Sequence, residues 1–415
     1  MAARRQPSLL VLNASTSKES GLATYVGIGF SKNLDTLKAA QEAAEQAKKI
    51  LNQDRIDVTF VFNTIHYSPE EFLPQIYETL NKTKLIGSST AGIILPERIE
   101  TRGLAVMALH SDDIKFETSH AGHLNLQDIR AAGADFARSS LTDYGKQHRK
   151  LFFFFADGLL HELANLTEGV RQQFGNAFPI VGVGSSDDFH FKKTYQYFDN
   201  TFMSTGASGV LFGGRAHIGL GCRHGWRPLG KPRIIDDIKG HIINTIDGQP
   251  AVKIYEAYFA TEAQGLPQGR LAYLNSRYPL GMAVAGMNEY LLRNVMFTFE
   301  DGSMGCQHNI LDKTEVHIMI GGKDSCLRAA QAAAEDAKEQ MQGRTPRLIL
   351  IFESLIRYKI LGRTADEEIQ MVRNILGADV PTLGMYSFGE IFTFAAANGT
   401  QTLLQNGSIM ILAVC

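Results

Sequence analysis

Polar side chains that could do chemistry gather around a few glycine-bounded segments. Tyr386, Ser387 and Glu390 lie in Pro381–Ile391 (PTLGMYSFGEI), and Ser88, Ser89 and Thr90 lie in Lys84–Ile93 (KLIGSSTAGI). Arg293 closes the stretch EYLLR, and Arg357 follows the apolar run Leu348–Phe352 (LILIF) by a few residues. An arginine presents a planar fork of N–H donors matched to a carboxylate. Arg293 and Arg357, with Tyr386, Ser387 and Glu390, could therefore bind an amino acid or another small carboxylate, the arginines taking the carboxylate and Glu390 the ammonium. The competing reading of these residues is an internal Arg–Glu pair that steadies the loop. Asp157 and Glu353, each just beyond an apolar run, fit the same picture.

Other chemistries fit the spacing less well. A nucleophilic serine wants G-x-S-x-G at a strand-to-helix elbow, whereas the segments here read GSSTAG, GVGSSD and GMYSFG. Gly321-Gly322-Lys323 resembles a phosphate loop, but its preceding glycine is missing and Asp324 stands where a serine or threonine belongs. Twelve histidines show no HExxH spacing, and four cysteines (Cys222, Cys306, Cys326 and Cys415) show no CxxC, which argues against a zinc site or a disulfide framework and fits a reducing compartment.

The elements that must position these residues recur. Lys84–Ile93, Pro179–Phe189 (PIVGVGSSDDF) and Pro381–Ile391 each run from a short apolar lead to a glycine (Gly87, Gly182, Gly384) and a small or hydroxyl-rich turn. Upstream stand three apolar runs, Val58–Phe62 (VTFVF), Leu151–Phe155 (LFFFF) and Leu348–Phe352 (LILIF). From the last phenylalanine of each run to the loop glycine is 25, 27 and 32 residues, and each interval holds one helical stretch: Pro69–Leu80, His161–Phe174 and Ala365–Leu376. Leu37–Lys48 (LKAAQEAAEQAK) reappears 290 residues later as Leu327–Lys338 (LRAAQAAAEDAK). The pattern predicts an α/β protein of mixed sheets flanked by helices, built from three repeats of a helix-strand-helix-strand-hairpin unit.

Around this frame, Ser8–Asn13 reads as a first strand, and Gly103–Leu109 with Ile114–Thr118 reads as a hairpin about Ser111-Asp112-Asp113. Asp247-Gly248 and Asp301-Gly302 between apolar runs mark two more hairpins. The closing run Ser408–Val414 (SIMILAV) reads as an interior strand. Glycines and a proline in Gly221–Gly230 (GCRHGWRPLG) break regular structure and place a boundary between residues 1–221 and 222–415. At 44% hydrophobic and 20% charged residues the chain has an ordinary globular composition, and a net charge of −2 offers no basic surface for nucleic acid or an anionic membrane. With no run approaching the ~18 apolar residues of a span, the expected location is the cytoplasm.

GSSTAGI at 87–93, HGWRPLG at 224–230, DGQPAVKIYE at 247–256, YPLG at 278–281 with Arg293 after it, and GMYSFGEI at 384–391 followed by QNGS at 405–408 together resemble the FIST family, in the order of its N-terminal and C-terminal modules, over residues 20 to 412. The resemblance implies a sensory, ligand-binding protein of a signal-transduction system that acts on a separate signalling enzyme, such as a histidine kinase or a cyclic-di-nucleotide enzyme. One branch, the NosP-type nitric oxide sensors, binds haem, and His224, in its glycine-flanked segment beside Trp226, is the candidate axial ligand. The chain departs from the family where Glu353-Ser354 replaces a cysteine and where Gln405-Asn406-Gly407-Ser408 replaces His-Asn-x-Thr, which removes the histidine a haem or metal role there would use. The expected function is small-ligand sensing, with a haem-based nitric oxide sensor and a small-molecule hydrolase as the alternatives.

Overall fold

A strand with no polar face needs cover on both sides, and each of the three apolar runs becomes a central strand walled in that way. The computed structural model describes residues 23–124, 128–145, 148–263, 277–287, 289–310, 314–397 and 399–415. The strand expected at Ser8–Asn13 lies outside the described residues. The first repeat comprises β1 (Thr24–Ser31), α1 (Thr36–Leu51), β2 (Val58–Asn63), α2 (Pro69–Thr79), β3 (Leu85–Ser89), a hairpin of β4 (Ile93–Ile94) and β5 (Ile99–Glu100), and β6 (Leu104–Ser111). The second has the same succession: β7 (Ile114–Ala121), α3 (Ile129–Tyr144), β8 (Arg149–Asp157), α4 (Leu163–Phe174), β9 (Ile180–Ser185), a hairpin of β10 (Gln196–Phe198) and β11 (Thr201–Met203), and β12 (Ala207–Gly214).

The third repeat opens with β13 (Ile218–Arg223) and is then interrupted. An inserted unit of β14 (Arg227–Lys239), β15 (Ile242–Ile246), β16 (Gln249–Pro250), α5 (Lys253–Ala263), β17 (Leu280–Met282), β18 (Leu291–Arg293), β19 (Val295–Thr298), β20 (Met304–Cys306) and β21 (Glu315–Ile320) builds its own antiparallel sheet. Both Asp-Gly turns close hairpins there, β15 with β16 and β19 with β20. The repeat resumes with α6 (Lys323–Gln340), β22 (Leu348–Ser354), α7 (Leu355–Leu361), α8 (Ala365–Leu376), β23 (Thr382–Ser387), a hairpin of β24 (Glu390–Ala396) and β25 (Gly399–Gln405), and β26 (Ile409–Val414).

Each repeat forms a sheet of one design, but with a hairpin borrowed from another repeat. The orders are β1-β6-β2-β3-β10-β11, β7-β12-β8-β9-β24-β25 and β13-β26-β22-β23-β4-β5. The central pairs β2/β3, β8/β9 and β22/β23 are parallel and the other pairings antiparallel. The hairpin of the first repeat therefore completes the sheet of the third, that of the second completes the first, and that of the third completes the second. One expectation is corrected here. β6 and β7 meet at the Ser111-Asp112-Asp113 turn but enter different sheets, so this turn is a crossing between repeats and not a hairpin.

The inner faces of the three sheets share one core. Phe62, Phe155 and Phe352, the last phenylalanines of the three runs, meet edge-on in a triangle with ring centroids 5.6, 6.2 and 6.0 Å apart. The outer faces are covered by the helices, with α1 laying Ala39, Ala43 and Ala47 on the first sheet and α6 laying Ala330, Ala333 and Ala337 on the third. The approach is close enough that a Cβ at Gly29 would lie 1.9 Å from the Ala43 carbonyl, and one at Gly221 the same distance from the Ala333 carbonyl.

Candidate functional site

Parallel pairing brings the three glycine loops to equivalent places. Gly87 stands opposite Val61, Gly182 opposite Phe154 and Gly384 opposite Ile351, each one residue short of a triangle phenylalanine. Above that triangle the loops bond to one another. Ser88 Oγ donates to Ser185 Oγ (2.7 Å), Ser89 Oγ to the Ser186 carbonyl (3.0 Å), and both Thr90 Oγ1 (2.8 Å) and Ser186 Oγ (2.6 Å) to the Tyr386 carbonyl. Gly184 and Phe388 complete the junction through main-chain bonds with Gly389 and with each other. Ser88, Ser89 and Thr90 are fully buried, so their hydroxyls tie the repeats together.

Arg357 lies behind this hub and is wholly buried. It donates to Glu353 (3.2 Å), to Glu368, to the His224 carbonyl (2.8 Å) and to the Cys326 carbonyl (3.0 Å). Four of its five N–H donors are thereby used. Two carboxyls around one guanidinium in a dry site cannot both ionise freely, and burial together with the neighbouring Glu368 pushes Glu353 well above the usual carboxylate range. Removing one partner of such a buried cluster strands the others, at a cost of roughly 3–5 kcal/mol. Tyr386 is buried beside these groups, paired in register with Glu353.

Glu390 accepts from Ser387 Oγ, Ser408 Oγ (2.6 Å) and the Ser408 amide (3.2 Å). Burial lifts its pKa to about 7 against the lowering effect of those bonds. Glu390, Ser387 and Ser408 have no exposed surface, which closes this carboxyl to an outside substrate. Arg293 stands apart, in the inserted unit, donating to the carbonyls of Asn309 (3.1 Å), Leu292 (2.8 Å) and Leu404 (2.9 Å). Burial without a carboxylate partner among the described residues lowers its pKa to about 10. The structure thus brings together Arg357, Tyr386, Ser387 and Glu390 with Ser88, Ser89 and Thr90 around one hub, and places Arg293 elsewhere. Asp157 is also buried, accepting from Thr194 Oγ1 (2.7 Å), and burial raises its pKa.

An open cavity of about 880 Å³ lies on the far side of Arg357. One wall is the segment from Arg223 to Pro228, the other is Gly321, Gly322 and the start of α6. The segment turns sharply at Gly225, whose φ of +86° favours glycine and where a Cβ would lie 2.4 Å from the Ser325 carbonyl. Arg357 fixes both walls through the carbonyls of His224 and Cys326. Trp226, the only tryptophan in the chain, packs its ring on Gly321 and Gly407. Arg223 is matched by Asp336 (2.7 Å) and Glu289 (3.4 Å). Arg227, Lys323 and Arg328 line the cavity with no carboxylate partner among the described residues.

His224 contributes a constrained imidazole to this wall. Its Nδ1 accepts the Trp226 amide N–H at 2.8 Å, so the neutral ring carries its proton on Nε2. Nε2 is closed to solvent and faces the Tyr290 backbone and, 3.6 Å away, the Glu289 carboxylate. Burial and the charge of Arg357 lower the pKa to about 3. These facts bear on haem. An axial histidine gives the iron a bare nitrogen, whereas here Nε2 holds the proton, and the cavity is lined by charged groups where a porphyrin wants apolar walls. The residues present do not fit that group.

A model of the FIST N domain matches residues 57–249, and a model of the FIST C domain matches residues 251–393. The chain belongs to the FIST family. FIST domains are small-ligand sensing domains of signalling proteins. This FIST chain is similar to two uncharacterised proteins of Mycobacterium tuberculosis, from strains CDC 1551 and H37Rv, each 21% identical over 387 residues that cover 90% of this chain and 96% of the relative. Among solved structures it resembles a cyanuric acid hydrolase from A. caulinodans, at TM-score 0.37 and 8% identity over 95% of this chain and 99% of that one. It also resembles PurLQS from Thermotoga maritima, at TM-score 0.25 and 9% identity over 97% and 74%. No helix among the described residues is long and apolar enough to cross a membrane.

Sequence reasoning missed several residues of this site. Glu368 carried no signal, because a glutamate in the first turn of a helix ordinarily serves the helix dipole. Lys323 belongs to an incomplete phosphate-loop pattern and Arg328 to the alanine-rich repeat, and neither spacing singles out a cavity wall.

Proposed function

We propose that this FIST protein is a cytoplasmic receptor for a small anionic molecule and that it acts on a separate signalling enzyme. The observation that carries the reading is the cavity of about 880 Å³ in which Arg227, Lys323 and Arg328 stand without carboxylate partners beside Trp226. That size suits a small ligand. The amino acids and small carboxylates expected from the sequence belong to the class it would take, held by these cations in place of Arg293 and Arg357. The route to the rest of the molecule runs through Arg357, which holds both cavity walls, to Glu353 and to Tyr386, whose carbonyl the first and second repeats share.

Trp226 supplies the test. Titration with a panel of amino acids, carboxylates and phosphorylated compounds is expected to give at least one saturable change in its emission. Ala332→Trp, which fills the cavity from its α6 wall, is expected to abolish the binding heat while circular dichroism is unchanged. Full binding by that variant would remove the cavity as the ligand seat.

A further inference from the structure

A short strip of the inserted unit, Gln307 to Asn309, fastens that unit to the second and third repeats. The Gln307 side-chain amide donates to the Phe388 carbonyl at the hub, and its main-chain carbonyl accepts from His161 Nδ1 at 2.8 Å. The Asn406 side-chain amide donates to His308 Nδ1 (3.3 Å), and the Asn309 amide donates to the His161 carbonyl (3.2 Å). His161 stands two residues ahead of α4, in the second repeat. Its ring lies flat on that of His241, from the turn between β14 and β15, with centroids 3.7 Å apart and planes 9° from parallel. The main chain of that turn closes on the same strip, the Cys306 amide donating to the His241 carbonyl (2.8 Å) and the Ile310 amide to the Gly240 carbonyl (3.4 Å).

The ring stack tolerates one charge and resists two. A carbonyl only accepts, so His161 Nδ1 carries its proton and a second proton would enter at Nε2. Two imidazolium faces at this distance repel, and both rings are half-buried. Burial and the His161 ring lower the His241 pKa from its ordinary 6.5. The surroundings do little to neutralise a doubly charged pair. Phe297 of β19 covers His241 edge-on, and Arg293 is a buried cation without a carboxylate partner among the described residues. His308 is buried and stays neutral, its pKa lowered to about 3 by burial and by Arg293. The carboxylate whose field reaches His161 is Asp157 of β8, already accepting from Thr194 Oγ1 and the Leu159 amide and itself raised by burial. Glu162 and Lys239, on the two segments that carry the rings, are exposed. A histidine with a lowered pKa in the folded chain contributes stability that is present above 6.5 and is lost as the pH falls below it. We propose that the stacked His161 and His241 rings are an acid-released latch, which holds the inserted unit on the second repeat at neutral pH and lets go when both rings are protonated. Histidine is the side chain whose charge changes in that range. The inserted unit also supplies Glu289 and Tyr290 to the cavity, so release loosens that wall. The latch stands whether or not the cavity holds a ligand.

Amide hydrogen exchange on the full chain reads the latch locally, because the Asn309 and Ile310 amides close on His161 and Gly240. Their protection factors, corrected for the intrinsic rate, are expected to fall about tenfold between pH 7.5 and pH 5.5, the factor that one freed imidazole of ordinary pKa supplies. That of Leu350, in the middle of β22, is expected to stay level. His241→Phe keeps a ring against His161 that cannot be charged, and is expected to hold the same protection at both pH values. His241→Lys is charged throughout and is expected to show at pH 7.5 the low protection that the parent chain shows at pH 5.5. Protection of Asn309 and Ile310 that ignores pH in the parent chain, or that falls as steeply in His241→Phe, would overturn the latch. A fall shared by Leu350 would mean that acid loosens the whole chain, and would overturn it as well.

Discussion

Glu390 is a carboxyl in a closed core, and its protonation is coupled to folding. Its folded pKa of about 7 stands above its ordinary value of 4.5 because burial penalises the charge. Between those two values the folded chain keeps a proton that the unfolded chain has released. Its contribution is therefore complete below pH 4.5 and is lost as the pH rises to 7. Glu390→Gln cannot ionise, and the variant is expected to gain about 3 kcal/mol on the parent protein between pH 4 and pH 8, a magnitude set by the size of the shift. Urea unfolding of both proteins across that range checks it, and parallel pH profiles would show that Glu390 is no more costly folded than unfolded. The residue scale is also where the sequence was only half legible. In the sequence the Arg–Glu pair that would steady the loop reads with Glu390, which Ser387 and Ser408 hold instead; Arg357 pairs with Glu353, four residues before it, and with Glu368, which reaches it through the packing of α8 against α6. His224 stood out by its glycine neighbours, but the proton on its Nε2 depends on the fold of Gly225 and Trp226, which no spacing encodes.

At the scale of elements, a strand and a helix meet through glycine on one side and alanine on the other. β1 offers Gly27 and Gly29 to α1, and β13 offers Gly219 and Gly221 to α6, each glycine facing a helix carbonyl. The alanine stripes were legible because they repeat at a fixed offset; their partners were less so, because G-x-G in a short strand resembles many turns. Gly221→Ala would place a methyl 1.9 Å from the Ala333 carbonyl, nearer than any real contact. Main chain cannot yield as a flexible side chain does, so α6 must shift outward. The expected cost is about 1–3 kcal/mol, the range for overpacked interiors. Since α6 also forms a wall of the cavity, the same variant is expected to weaken ligand binding. Thermal unfolding and calorimetry on one preparation measure both effects, and an unchanged transition would mean that the helix docks more loosely than the distances say.

The molecule as a whole is closed by exchange. The three repeats were legible from strands, helices and loop glycines keeping step, but their interlocking was not, because sequence neighbours were expected to pair within their own unit. β4 and β5 leave the first repeat to complete the sheet of β23, while β24 and β25 leave the third to complete the sheet of β9. The boundary read near Gly221 therefore falls within β13, and the two halves it separates complete each other's sheets. A fragment ending at residue 221 would expose the edge of β9 and leave the β4–β5 hairpin without its sheet, and unpaired strand edges invite aggregation. We propose that residues 1–221 and 222–415 are halves of one folding unit. Each expressed alone is expected to be insoluble or to lack a cooperative transition, and the two co-expressed are expected to assemble one to one with the Trp226 emission of the intact chain. A fragment 1–221 that stayed monomeric and melted cooperatively by itself would show that the exchanged hairpins decorate the sheets and do not hold the repeats together.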